Sequence, residues 1–139
     1  QMPIPRALLA QVRLLVIDDE PRFLRGIAGV LRPRAKELAI EVAANGADGL
    51  LKVGIYRPHA VLLDAQMPGI DGFDVCRRLK KTAETRDILV IGISGSSASE
   101  ALFQEAGADM FLLKPIKASA VLGAVRALRL VEPPVDLSR

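Results

Sequence analysis

The 139-residue chain has no tryptophan, one cysteine, one histidine, one tyrosine and four phenylalanines. With aromatics so scarce, aliphatic side chains must fill the core. A lone Cys76 excludes an internal disulfide and suits a reducing compartment. One histidine and one cysteine cannot together furnish the four ligands of a structural zinc centre. No Gly-rich loop of the kind that cradles nucleotide phosphates occurs. No apolar stretch approaches the roughly 18 residues that span a bilayer, so no membrane association is expected. The opening Gln1-Met2-Pro3-Ile4-Pro5-Arg6 carries two prolines and no long apolar core follows, unlike a signal peptide. Cytoplasmic localisation is the expectation.

What is present is a chain that is 50% hydrophobic and 25% charged, long enough for one well-cored domain. The net charge of +3 comes from basic residues scattered along helix-period segments, such as Arg22, Arg25, Arg77, Arg78, Lys80 and Lys81. These read as solvated faces. No basic run is interleaved with aromatics, so no direct binding of nucleic acid is expected.

Short β-rich apolar runs alternate with longer helix-period segments. Strands are predicted at Arg13–Asp18, Ala39–Ala43, Ala60–Asp64, Leu89–Ser94 and Met110–Leu113. Helices are predicted near Pro21–Leu31, Ala47–Ile55, Gly72–Lys81, Ser99–Glu105 and Lys117–Leu130. Phe23, Ile27, Val30 and Leu31 make the apolar stripe of the first helix, and Val121, Leu122, Val125 and Leu128 that of the last. Five strands alternating with five helices imply an α/β fold, a parallel sheet with right-handed crossovers and helices on both faces. Leu14–Ile17, Val61–Leu63 and Leu89–Ile93 are nearly continuous apolar runs, as strands covered on both faces should be. Residues 1–11 read as an N-terminal extension, 12–131 as the domain, and 132–139, with Pro133-Pro134, as a linker or tail.

In such a sheet, ligands bind beyond the carboxyl ends of the strands. Those ends carry Asp18-Asp19, Asp64, Ser94 and Lys114. Carboxylates that converge repel: two unit charges about 4 Å apart cost roughly 4 kcal/mol at an effective dielectric near 20. Either the acids hold protons or a cation sits among them, and an all-oxygen donor set suits Mg²⁺. A fixed positive charge from Lys114 on the other side of the pocket, with a hydroxyl from Ser94, could hold a phosphoryl oxygen. Asp64, single on the middle strand, is the better nucleophile, and the adjacent Asp18-Asp19 pair suits metal holding.

Asp18-Asp19-Glu20, Asp64-Ala65-Gln66-Met67-Pro68-Gly69-Ile70-Asp71-Gly72, Ser94-Gly95 and Lys114-Pro115, in that order and each at a strand end, resemble the receiver domain of bacterial two-component response regulators. The likeness covers about residues 12 to 131. It implies a doubly wound, flavodoxin-like five-stranded sheet in the order 2-1-3-4-5. It also implies that Asp64 accepts a phosphoryl group from the phosphohistidine of a sensor histidine kinase or phosphotransfer protein. Asp19, Asp64 and the Gln66 main-chain carbonyl would bind Mg²⁺, with Asp18 helping through water. Ser94 would be the switch hydroxyl, Lys114 the partner of the phosphate, Pro115 the residue after an often cis bond, and Phe111 the aromatic switch. Signalling to an output domain, or a homodimer, would use the fourth helix, fifth strand and fifth helix. Such a domain is a switch with self-phosphorylation and autodephosphorylation, not a turnover enzyme.

The sequence departs from that pattern in places. Ser94 and Lys114 are closer together than is usual in the family, so the fourth helix should be short or its leading loop tight. Ala120 stands where an acid is common, which weakens the case for a salt-bridged dimer. Gln66 and Ser96 flank the pocket at positions that tune acyl-phosphate lifetime. Other readings compete. Asp18 and Asp19 could cap a helix ahead of Pro21. The chain could be a pseudo-receiver that docks partners without phosphorylation. A Mg²⁺-dependent phosphatase would want an acid two positions past the nucleophile, where Gln66 stands. His59 reads as a surface histidine at the far end of the sheet, Cys76 as a core or boundary residue, and Met67 and Pro68 as loop-shaping.

Overall fold

The structure, a computed structural model, describes residues 11–131 apart from 35 and 37. Nearly all of the expected N-terminal extension, the expected tail 132–139, and the Leu128 side chain assigned to the last helix's stripe lie outside the described residues. The elements run β1 (Val12–Ile17), α1 (Pro21–Leu31), β2 (Leu38–Ala43), α2 (Gly46–Tyr56), β3 (Ala60–Asp64), α3 (Gly72–Lys81), β4 (Leu89–Ser94), α4 (Ser99–Ala106), β5 (Met110–Leu113) and α5 (Ala118–Val131), with one 3-10 turn at Arg32–Arg34. All strand pairs are parallel, in the order β2-β1-β3-β4-β5. This is the expected doubly wound α/β fold.

The register explains how the strand ends meet. Ala43, Ile17, Leu63, Gly92 and Phe111 form one row across the sheet. Asp18 and Asp64 stand directly beyond that row, Ser94 two residues past it and Lys114 three, so these polar groups emerge along a single edge. β1 ends one residue earlier than predicted, at Ile17. The Asp18 N–H still reaches the Ala43 carbonyl at 3.1 Å, but its side chain has already left the sheet.

Side-chain alternation splits the core in two. Leu14, Val16, Leu62, Ile91 and Ile93 pack with α1 and α5 residues such as Leu24, Ile27, Leu31, Val121 and Val125. Leu15, Ile17, Leu63 and Val90 pack on the other face with Val53, Val75, Cys76, Leu79 and Phe103. A side chain of this size contributes about 1.5–3 kcal/mol when fully buried, so both faces are needed to hold the sheet.

The first helix corrects its predicted stripe. Val30 is exposed, and the buried face is Leu24, Ile27, Ala28 and Leu31. At 100° per residue Val30 lies more than a quarter-turn from the centre of that face. The sequence reading of α4 holds more closely: it has only 8 residues. Its Phe103 ring is fully buried against Gly92, where an added Cβ would lie 2.4 Å from the ring. Glycine in the middle of β4 thus makes the seat for this short helix. Gly107, at φ +96°, ends it in the left-handed conformation that glycine favours.

His59 does sit at the opposite end of β3 from the acids, but it is half-buried rather than a free surface group. Its Nδ1 accepts the Arg13 N–H at 3.0 Å, and its own N–H donates to the Arg13 carbonyl at 2.9 Å. Cys76 is fully buried, and burial raises its thiol pKa to about 11. Among the described residues no helix is long and apolar enough to cross a membrane.

Candidate functional site

Asp18 is completely buried, although Asp19 beside it is exposed. Asp18 Oδ1 accepts the Glu20 N–H at 2.9 Å, which bends the chain from β1 into α1, where Pro21 fills the first turn without wasting a donor. Glu20 is the N-cap residue and makes no side-chain cap bond, so the acids do not cap α1 directly. Asp64 ends β3 with its side chain only 11% exposed. The loop after it folds back tightly, with the Gly72 N–H donating to the Ala65 carbonyl at 2.8 Å. A Cβ at Gly72 would lie 1.9 Å from the Asp64 carbonyl oxygen, so only glycine can begin α3 there.

Lys114 follows β5 and precedes a cis bond to Pro115. Its N–H donates to the Ser94 carbonyl at 2.7 Å, tying the ends of β4 and β5 together. The ammonium lies 2.7 Å from Asp18 Oδ2 and 3.1 Å from Asp64 Oδ1. It also sits over the Phe23 ring of α1, 4.3 Å from the centroid. The sequence suggested a cation facing the acids across a pocket; the structure puts it between two of them.

One carboxyl oxygen each from Asp18, Asp19 and Asp64 lies within 4.8 Å of the others. Burial, then the Asp18 charge, raises the Asp64 pKa above the ordinary 3.8, and Lys114 works against that rise. For Lys114, burial opposes the charge. The hydrogen bond and charge of Asp18, with Asp64, outweigh burial and raise its pKa. The ammonium is therefore locked on, and one positive charge faces three acidic groups. An all-oxygen set with acid left uncompensated fits a hard divalent cation such as Mg²⁺. Gln66 is exposed two residues past Asp64, at the mouth of the same loop.

Ser94 closes β4 and is buried. Its Oγ accepts the Ser96 N–H at 3.0 Å and the Ser99 hydroxyl at 2.9 Å. Ser99, also buried, was legible in the sequence only as a helix start. The one signal that could have singled it out is a third serine close behind Ser94 in a short loop. Phe111 is partly buried, its ring 6.1 Å from Phe103, which lies 4.7 Å from Phe73.

The family described as Response regulator receiver domain matches residues 14–126. The chain is 36% identical over 117 residues to the response regulator MprA of Mycobacterium sp. (strain KMS), a match covering 84% of this chain and 50% of that protein. It thus spans about half the length of the curated relatives it matches. Among solved structures it is similar to the signal receiver domain of a signal transduction histidine kinase from Syntrophus aciditrophicus (TM-score 0.78, 25% identity, 91% of this chain and 96% of that one). It shares its fold with the Vibrio cholerae chemotaxis protein CheY4 (TM-score 0.76, 20% identity, 86% and 99%). The chain belongs to the response regulator receiver domains of two-component systems, a signalling family rather than one that turns over substrates.

Proposed function

We propose that residues 12–131 form a phosphorylation-dependent receiver in which Asp64 takes a phosphoryl group from the phosphohistidine of a sensor histidine kinase or phosphotransfer protein. The observation that carries this reading is the Lys114 ammonium bridging Asp18 Oδ2 and Asp64 Oδ1. A nucleophile needs its lone pair unprotonated, and Lys114 offsets the burial that favours a proton on Asp64. Asp19, Asp64 and the Gln66 carbonyl would hold Mg²⁺, with Asp18 helping through water, and the ion would supply positive charge against the phosphoryl oxygens.

An Asp64 carboxylate oxygen attacks phosphorus, and the O–P bond forms as the N–P bond to the partner's imidazole breaks. The electron pair stays on the imidazole nitrogen, which then takes up a proton. Lys114, a permanent cation, pairs with the new phosphoryl group. Ser94 donates its hydroxyl to a phosphoryl oxygen, and Phe111 turns with it. Water later reverses the modification, past the flanking residues Gln66 and Ser96. The exposed apolar side chains of Leu102, Met110 and Leu113 on α4 and β5 support α4, β5 and α5 as the face that meets an output domain or a second copy.

Incubation with Mg²⁺ and acetyl phosphate tests this reading. One phosphoryl group should add to the wild-type mass and none to Asp64→Ala. No gain, or a gain that survives Asp64→Ala, sinks it, and phosphorylation-independent partner binding would then mark a docking module.

A further inference from the structure

We infer that Ser99 is a positioning residue for the switch, a latch that holds the Ser94 hydroxyl in its resting place and ties it to the first turn of α4. This rests on Ser94 acting as the switch hydroxyl.

Three observations meet here. Both bonds that Ser94 Oγ accepts come from the α4 side, from the Ser96 N–H at 3.0 Å and the Ser99 hydroxyl at 2.9 Å. Strand alternation points the same way. Asp64 pairs with Ile93 and shares the parity of Leu62 on the α1–α5 face, whereas Ser94 shares the parity of Val90 on the α3–α4 face. A hydroxyl bound to α4 on one face must swing to serve a phosphoryl group carried on the other. Finally, the N-cap of α4 is Ala98, which offers no side-chain cap. The first hydroxyl of the helix is spent on Ser94, while the Ser99 and Glu100 N–H groups donate to the Ser96 and Ser97 carbonyls, each at 3.2 Å.

Moving Ser94 therefore breaks the bond and leaves the buried Ser99 hydroxyl without its partner. A buried hydroxyl left unpaired is costly, so the first turn of α4 must shift when Ser94 moves. The short loop Gly95–Ala98 allows little slack between the two. Ser99 thus opposes activation and is also the point where the displacement of Ser94 is felt by the helix.

The test uses beryllofluoride, which mimics a phosphoryl group on an aspartate, titrated into the full chain with Mg²⁺. Removing the latch in Ser99→Ala should tighten beryllofluoride binding about fivefold, the equivalent of one ordinary net hydrogen bond. In a Ser94→Ala background, the same change should have no further effect. A merely structural role for Ser99 would lower the melting temperature and leave this affinity alone. Unchanged or weaker binding in Ser99→Ala overturns the inference while wild type binds and Ser94→Ala is impaired. If wild type fails to bind at all, the reading of the site fails and the latch with it. Should Ser99→Ala melt below the assay temperature, Ser99→Cys keeps the volume, weakens the bond, and is held to the same criterion.

Discussion

The ammonium of Lys114 rests 4.3 Å from the centre of the Phe23 ring, so a residue of α1 on the edge of its apolar stripe forms one wall of the acidic site. The ring's face attracts the cation and shields its contact with Asp18 from water. Phe23→Leu keeps apolar bulk but loses that face, a change worth about 0.5–1 kcal/mol. Initial rates of labelling by acetyl phosphate should fall by roughly two- to fivefold, as that energy implies. An unchanged rate would make the ring simple packing.

Lys114→Met leaves the buried Asp18 and the nearly buried Asp64 facing each other without a cation. Breaking a fully buried pair costs roughly 3–5 kcal/mol, and the partial exposure of Lys114 lowers the expected loss to about 2 kcal/mol at pH 7. The sign of the pH dependence follows from the raised pKa of Asp64. A carboxyl that binds its proton more tightly folded than unfolded destabilises the fold above its native pKa. That cost disappears as pH falls through the native value toward the ordinary one. Urea denaturation should show the deficit of Lys114→Met at pH 7 shrinking on acidification. The Lys114 pKa is itself raised, so in wild type its stabilising contribution persists through neutral pH and is lost only as pH climbs past its ordinary 10.5 and through the native value.

Mg²⁺ should stabilise the fold by mass action. At ten times its dissociation constant the gain is about 1.4 kcal/mol, read as a rise in melting temperature that a chelator reverses. Asp18→Asn, Asp19→Asn and Asp64→Asn should each reduce the rise. If all three respond to the metal as wild type does, the cation binds elsewhere.

Gly26 and Gly29 lie on the exposed side of α1, and an added Cβ at either meets nothing within 4 Å. Glycine inside a helix costs about 0.5–1 kcal/mol relative to alanine. Gly26→Ala and Gly29→Ala should each stabilise the protein by that amount in urea denaturation without altering Mg²⁺ binding. The same change at Gly72 should be severely destabilising, because its Cβ would strike the Asp64 carbonyl.

Much of this architecture was readable because buried parallel strands are written as apolar runs and their ends as abrupt changes of polarity. β3, β4 and β5 fall where the runs Ala60–Asp64, Leu89–Ser94 and Met110–Leu113 placed them. The gathering of Asp18, Asp19 and Asp64 follows from topology, since parallel strands bring their carboxyl ends to one edge. Contacts set by side-chain direction were not readable. Lys114 and Phe23 are far apart in the chain, and only the reach of the Lys114 side chain across the strand ends toward α1 lays one over the other. Val30 looked like core because helix periodicity locates a stripe but not its centre. Ser99 looked like an ordinary helix start because local sequence does not say whether a hydroxyl caps its own helix or reaches back to a strand.

The most direct test is to phosphorylate the protein with acetyl phosphate and Mg²⁺, reduce it with borohydride, and map the altered residue by peptide mass spectrometry. Borohydride converts an aspartyl phosphate to homoserine, which marks the modified position. Homoserine at position 64, absent when Mg²⁺ is withheld, is the expected result. Homoserine at position 18 or 19 instead, or at none of the three, would contradict the assignment of Asp64 as the phosphoacceptor.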